Sequence, residues 1–123
     1  MSLAGLASSV TRGNPMIYVP DVAEALAWYK ELGFTEEARF EEDGLVNFGI
    51  VSLGGAEILI NMHGSRGEHD ASLWFYTDRV DEVWAALKGR VEVVEEIKDM
   101  FYGARQFGVR DLNGYVLWFI QSR

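Results

Sequence analysis

Apolar positions along the chain follow two different periods. Val22, Leu26, Tyr29 and Leu32 recur at helical spacing, and Ala25 falls on the same face. Asp21 stands between Pro20 and this run, three residues ahead of Glu24. A helix is therefore predicted that starts at an Asp21 cap and stops at Gly33. Val80, Val83, Trp84 and Leu87 repeat the pattern at i, i+3, i+4 and i+7, with Asp78 as the expected cap and Gly89 as the expected stop. The other apolar runs are short. They predict strands over 16–19, 35–40, 45–53, 57–62, 73–77, 91–95, 104–110 and 115–120. Asp43-Gly44, Gly54-Gly55 and Asn113-Gly114 carry the residue types that hairpin turns demand.

The two halves repeat each other. At an offset of 58, Val22 falls on Val80, Glu24 on Glu82, Ala27 on Ala85 and Lys30 on Lys88. At 59, Phe48-Gly49-Ile50 falls on Phe107-Gly108-Val109, Leu53 on Leu112, Gly55 on Gly114 and Ile58 on Leu117. Chance rarely preserves both turns and strands at one offset, so the chain reads as an internal duplication of the order strand, helix, three strands. The expected class is α+β: two βαβββ modules forming a cup-shaped, barrel-like mixed sheet with the helices outside. Module one covers 14–62, a linker 63–71 and module two 72–121, all within one domain over 14–123. Residues 1–13 are expected to be loosely ordered or a cloning remnant. Half-chains of about fifty residues cannot cover both faces of a sheet, so the concave faces leave a cavity for a small ligand.

Composition narrows the chemistry. The 123 residues include no Cys, which excludes disulfides, thiol nucleophiles and cysteine-bound zinc. A net charge of −8 makes nucleic acid and anionic membranes poor partners and suits a cationic small molecule. No apolar run reaches the ~18–20 residues of a membrane span, and the start lacks the basic region of a signal peptide. A cytoplasmic chain is expected.

Particular residues now carry a resemblance. Tyr18-Val19-Pro20-Asp21-Val22, then Trp28-Tyr29 and Leu32-Gly33-Phe34, resemble the opening of vicinal oxygen chelate proteins. That family includes glyoxalase I, bleomycin resistance proteins and extradiol dioxygenases. Tyr102-Gly103-Ala104-Arg105-Gln106-Phe107-Gly108-Val109-Arg110-Asp111-Leu112-Asn113-Gly114-Tyr115 is similar to the family's closing hairpin, YGxREFxVxDPDGY, with Leu112 in place of Pro. The resemblance implies paired βαβββ modules, a shared cup and a homodimer. It implies four inward metal-ligand positions, which fall here on Asn14, Leu59, Ser72 and Trp118. Metal-dependent members keep His, Glu or Gln there. Leu and Trp supply no ligand atom for a hard or borderline cation, so neither metal nor other cofactor is expected.

Strand parity gives the rest of the inward set. Ser72 brings Trp74 and Tyr76, Asn14 brings Met16 and Tyr18, Trp118 brings Val116 and Ile120, and Leu59 brings Glu57 and Asn61. Such an aromatic surface suits either core packing or the stacking of a planar ligand, with Glu57 available to a cation. His63 shares the parity of Leu59 and Asn61 and is a candidate rim contact or general base. His69, Glu68 and Asp70 read as a solvated loop. Phe101 and Tyr102 are candidates for a lid, while Arg105 and Arg110 read as structural partners of acids such as Asp111. No catalytic residue is assigned. The favoured reading is a metal-free small-molecule-binding protein that sequesters an aromatic, cationic compound, akin to the bleomycin resistance branch. The alternative is a divergent lyase, isomerase or dioxygenase acting on a small carbonyl or aromatic substrate.

Overall fold

The computed structural model describes residues 2–122. After a short 3-10 helix over Ala4–Ser9, which buries no residue, the chain runs β1 (Met16–Val19), α1 (Val22–Leu32), β2 (Thr35–Glu42), β3 (Leu45–Leu53) and β4 (Ala56–Met62). The second half runs β5 (Ser72–Tyr76), α2 (Val80–Leu87), β6 (Glu92–Asp99), β7 (Ala104–Arg110) and β8 (Val116–Ser122). The order βαβββ thus occurs twice. One sheet has the order β1-β4-β3-β2 and the other β5-β8-β7-β6, so each half makes its own mixed sheet. The outer pairs β1–β4 and β5–β8 are parallel and the others antiparallel. The α+β class is as expected, but the two four-stranded sheets do not close into a barrel within one chain.

Each helix covers one face of its own sheet. Ile17, Val19, Val51, Ile58 and Ile60 of the first sheet meet Val22, Leu26 and Tyr29 of α1, and Phe75, Val109, Leu117 and Phe119 of the second meet Val80 and Leu87 of α2. All belong to one continuous core, because Phe34 reaches Phe75 across the modules with ring centroids 6.2 Å apart. Burying this face drives the fold, at about 1.5–3 kcal/mol for each large apolar side chain. Gly49 lets α1 approach: a Cβ there would lie 2.7 Å from Leu26.

Helix α1 begins as the sequence predicts. The Asp21 carboxylate accepts from the Glu24 amide at 3.0 Å, and Gly33 ends the helix at φ 124°, with the Phe34 amide donating to the Tyr29 carbonyl. Helix α2 differs at both ends. Its cap position is Arg79, not Asp78, and the first helical amide, Val80, donates to the Gln121 side chain at 3.1 Å. A side chain 41 residues away supplies what a local cap usually does. At the other end Lys88 stays right-handed, so Gly89 makes no left-handed stop. Asp43 and Gly44, at φ 53° and 79°, make a tight hairpin turn. In the last turn only Gly114 has positive φ, and Asp111 holds the loop by accepting from the Asn113 and Tyr115 amides.

The repeat holds in three dimensions with one correction. Met16 pairs with Leu59 and Trp74 with Trp118, so β1 maps on β5 at 58 and β4 on β8 at 59. In β3 and β7, however, the equivalent residues are 58 apart. Val51, opposite Ile58, matches Val109, opposite Leu117, and both valines are fully buried. The Phe-Gly match at 59 is therefore one residue out of register. Phe48 lies on the bare face while Phe107 lies in the core. The extra residue sits in the connection between β7 and β8, and a one-residue slip reverses every side chain.

The expected pairing of the hairpin arginines also changes. Arg105 bonds Asp81 and Asp99, and Arg110 bonds Glu92 and the Gly114 carbonyl. Asp111 instead accepts from the Tyr29 hydroxyl at 2.6 Å. On the first sheet Arg39, then Lys30, hold the Glu36 carboxyl down to about 2.

Candidate functional site

The faces away from the helices are bare, and cross-strand register lays their side chains out in rows. On the second sheet the rows are Ser72–Val116–Arg110–Glu92, Trp74–Trp118–Gly108–Glu95 and Tyr76–Ile120–Gln106–Lys98. On the first sheet they are Met16–Leu59–Ile50–Ala38 and Tyr18–Asn61–Phe48–Phe40. Below the Met16 row, Asn14 donates to Glu57 at 2.9 Å and Glu57 pairs with Ser52. The parity reading of β1, β4 and β5 thus matches the alternation of exposed and buried residues.

Trp74 is 53% and Tyr76 71% exposed, with ring centroids 6.5 Å apart. Both wall a cavity of about 530 Å³ that also touches Leu53, Gly54 and Gly55 and reaches the helix-covered side at Phe75, Val83 and Phe119. Gly54 and Gly55 line a second, polar cavity of about 360 Å³ with Arg12, Asn14, Glu37, Ser52 and Glu57. An aromatic compartment and an acidic one therefore meet at the β3–β4 turn. Leu59, Asn61, Ser72 and Trp118 line neither. Trp118 is half-buried, and its ring covers Gly108 so closely that a Cβ there would fall 2.7 Å from it.

His63 follows the end of β4, at φ 93°, and is exposed. His69, read from sequence as loop, stacks flat on Tyr115 with centroids 4.0 Å apart. Of the two lid candidates, Phe101 is 99% exposed, whereas the Tyr102 hydroxyl donates to the Gln106 side chain. Gln106 and its register partner Ile120 are buried although they lie on the bare face.

Of the four family ligand positions, Asn14 precedes β1, Leu59 lies on the first sheet, and Ser72 and Trp118 lie on the second. The Asn14 amide nitrogen is committed to Glu57, Ser72 offers one neutral hydroxyl, and Leu59 and Trp118 offer no donor atom. This set does not fit a divalent ion. Among the described residues no group of three or more His, Cys, Asp or Glu side chains is arranged to hold a metal.

Glu95 escaped the parity reading. It falls at the last residue of the predicted strand, and register shifts on either side of it, between Val93 and Glu95 and between Glu95 and Lys98, break the alternation that would assign its face. Glu37 is missed for the same reason: a register shift separates Glu36 from Ala38.

Two mixed four-stranded sheets of βαβββ topology, each helix-covered on one face and bare on the other, define a glyoxalase-type fold. A family model described as the Glyoxalase/Bleomycin resistance protein/Dioxygenase superfamily matches residues 11–119, and the chain belongs to that superfamily. Solved structures share the fold. A glyoxalase-related enzyme from Clostridium phytofermentans is 20% identical with a TM-score of 0.77, covering 93% of this chain and 97% of that one. The fosfomycin resistance protein FosX from Listeria monocytogenes is 17% identical at a TM-score of 0.73, covering 92% and 94%. A bleomycin-binding protein complexed with bleomycin is 18% identical at 0.72, covering 93% and 100%. Comparison with curated protein sequences finds no match. Among the described residues no helix is long and apolar enough to cross a membrane.

Proposed function

We propose that the protein binds a planar aromatic, cationic small molecule without a metal, and sequesters it in the cytoplasm at the edge of the bare faces of its sheets. The observation that carries this reading is the adjacency of two cavities at Gly54-Gly55. One is walled by Trp74 and Tyr76, the other holds Glu37 and Glu57. Aromatic rings stack on a flat guest, and carboxylates attract its charge. The net charge of −8 raises the local concentration of cations and supports the same choice. The bleomycin-binding relative gives precedent for small-molecule binding on this fold. A second copy of the chain would cover the exposed aromatic face and complete the cup. Asn61, His63 and Ser72 would add polar contacts at its edge, with Phe101 and Tyr102 as its lid.

Calorimetric titration with a matched set of probes tests the reading. Aminoacridine is a planar cation, acridine is neutral and acridine carboxylate is an anion of the same shape. The expected order of affinity is cation, then neutral, then anion. Failure of all three to bind at millimolar concentration, or tighter binding of the anion, would overturn it. So would stoichiometric, tightly held metal in the purified protein.

A further inference from the structure

Several carboxylates border the bare faces, and Glu57, Glu37 and Glu92 each have a hydrogen-bond donor. Glu57 accepts from Asn14 at 2.9 Å and faces Arg12 at 3.7 Å. Glu37 accepts from the Ser52 hydroxyl at 2.6 Å, and Glu92 accepts from Arg110 at 3.1 Å. Glu95 is different. Its Oε2 lies 3.5 Å from the Lys98 ammonium, but its Oε1 is shut off from solvent with no hydrogen-bond partner. A carboxylate oxygen deprived of both water and a donor is destabilising, and folded proteins rarely leave one so.

Its position gives the vacancy a meaning. Glu95 is directly opposite Gly108, Gly108 opposite Trp118 and Trp118 opposite Trp74, so all four share one row of the bare face. Gly108 has no side chain to separate the carboxylate from the indole of Trp118, whose ring covers it. The row therefore runs from an exposed indole, through a half-buried one, to a carboxylate oxygen that lacks a donor. Metal binding is a poor use for it, because the row supplies no second oxygen ligand.

We infer that Glu95 is the anionic anchor of this site: its partly exposed carboxylate turns about its soft last side-chain torsion, bringing Oε1 out to accept an N–H from a protonated amine or amidinium group of an aromatic guest stacked on Trp118 and Trp74. This rests on the function proposed above and names the carboxylate that sets its specificity. Oε1 requires a hydrogen-bond donor as well as a positive charge. A cation bearing N–H groups is thus preferred over a cation of the same shape without them. Glu57, already engaged by Asn14, is secondary.

The test uses the full chain and calorimetry with three probes: aminoacridine, N-methylacridinium, which is cationic but has no N–H, and neutral acridine. The parent protein is expected to prefer aminoacridine over N-methylacridinium by about tenfold. Glu95→Gln should lower aminoacridine affinity about tenfold and abolish that preference, leaving acridine binding as in the parent. Glu31→Gln, at an exposed carboxylate on α1 away from the bare faces, should change aminoacridine binding less than twofold. Melting temperatures check the fold: Glu95→Gln takes the charge off the donorless Oε1 and gives up only the partly exposed Lys98 pair, so it should melt at or above the parent. If Glu95→Gln binds aminoacridine like the parent while Trp118→Ala loses it, the assignment of Glu95 is overturned and the binding function stands. If Glu95→Gln melts several degrees lower and loses all three probes together, the residue is structural and the inference is overturned. If the parent binds no probe, the functional reading falls, and this inference with it.

Discussion

The hydroxyl of Tyr115, in the second module, donates to the Tyr18 carbonyl at 2.9 Å and accepts from the Tyr18 amide at 3.1 Å. Tyr18 lies on β1, an edge strand of the first sheet, so these backbone groups have no neighbouring strand in that sheet. One side chain thus takes the place of a strand and ties the modules together. Tyr115→Phe keeps the ring stacked on His69 but removes both bonds. It should lower unfolding free energy by about 1–3 kcal/mol in urea denaturation. An unchanged midpoint would show that the clamp contributes nothing.

A second link between the modules titrates. Burial first, and then the charge of Asp111, push the Tyr29 hydroxyl well above its usual value of 10.0. A folded-state value above the unfolded one means that the contribution is complete below about pH 10 and is lost as pH rises further. Stability measured against pH should therefore fall on the alkaline side. Tyr29→Phe should flatten that fall while lowering stability at neutral pH by about 1–3 kcal/mol, because Asp111 loses a donor.

Trp118 separates a packing role from a binding one. Because its ring is only half-buried, Trp118→Ala should cost about 2 kcal/mol of stability, below the 3–5 kcal/mol of a fully buried aromatic. Affinity for an aromatic cation should fall by about 1–3 kcal/mol if the guest stacks there. Melting and calorimetry on one sample read both. EDTA should alter neither in the parent; a loss of affinity restored by one added metal would reverse the metal-free reading.

The bare faces also predict assembly. Tyr18, Phe40, Leu45, Trp74 and Tyr76 are each 47% or more exposed on a single chain. A homodimer burying more than about 1,000 Å² is expected to cover part of this surface. Sedimentation at micromolar concentration should give twice the chain mass of 13.9 kDa. A monomer would count against a shared cup.

The sequence by itself determined the elements, the duplication and the bare faces of four strands. Those features are local: Val22, Leu26 and Tyr29 share a helix face by period, Asp21 reaches its own helix, and Trp74 alternates with Phe75 along one strand. Four things required the tertiary structure. Gln121 caps α2 from 41 residues away, which no local pattern encodes. Tyr29 finds Asp111 across 82 residues, displacing the arginine pairing that proximity suggested. The sheets stop at four strands each, because closure depends on surfaces that one chain leaves open. Register was decided by connections and bulges. One extra residue between β7 and β8 sends Phe48 and Phe107 to opposite faces despite matching sequence, and the shifts around Glu95 turn a carboxylate toward Trp118's row. A strand's period says which residues share a face; where a bulge breaks that period, only the partner strand says which face each residue takes.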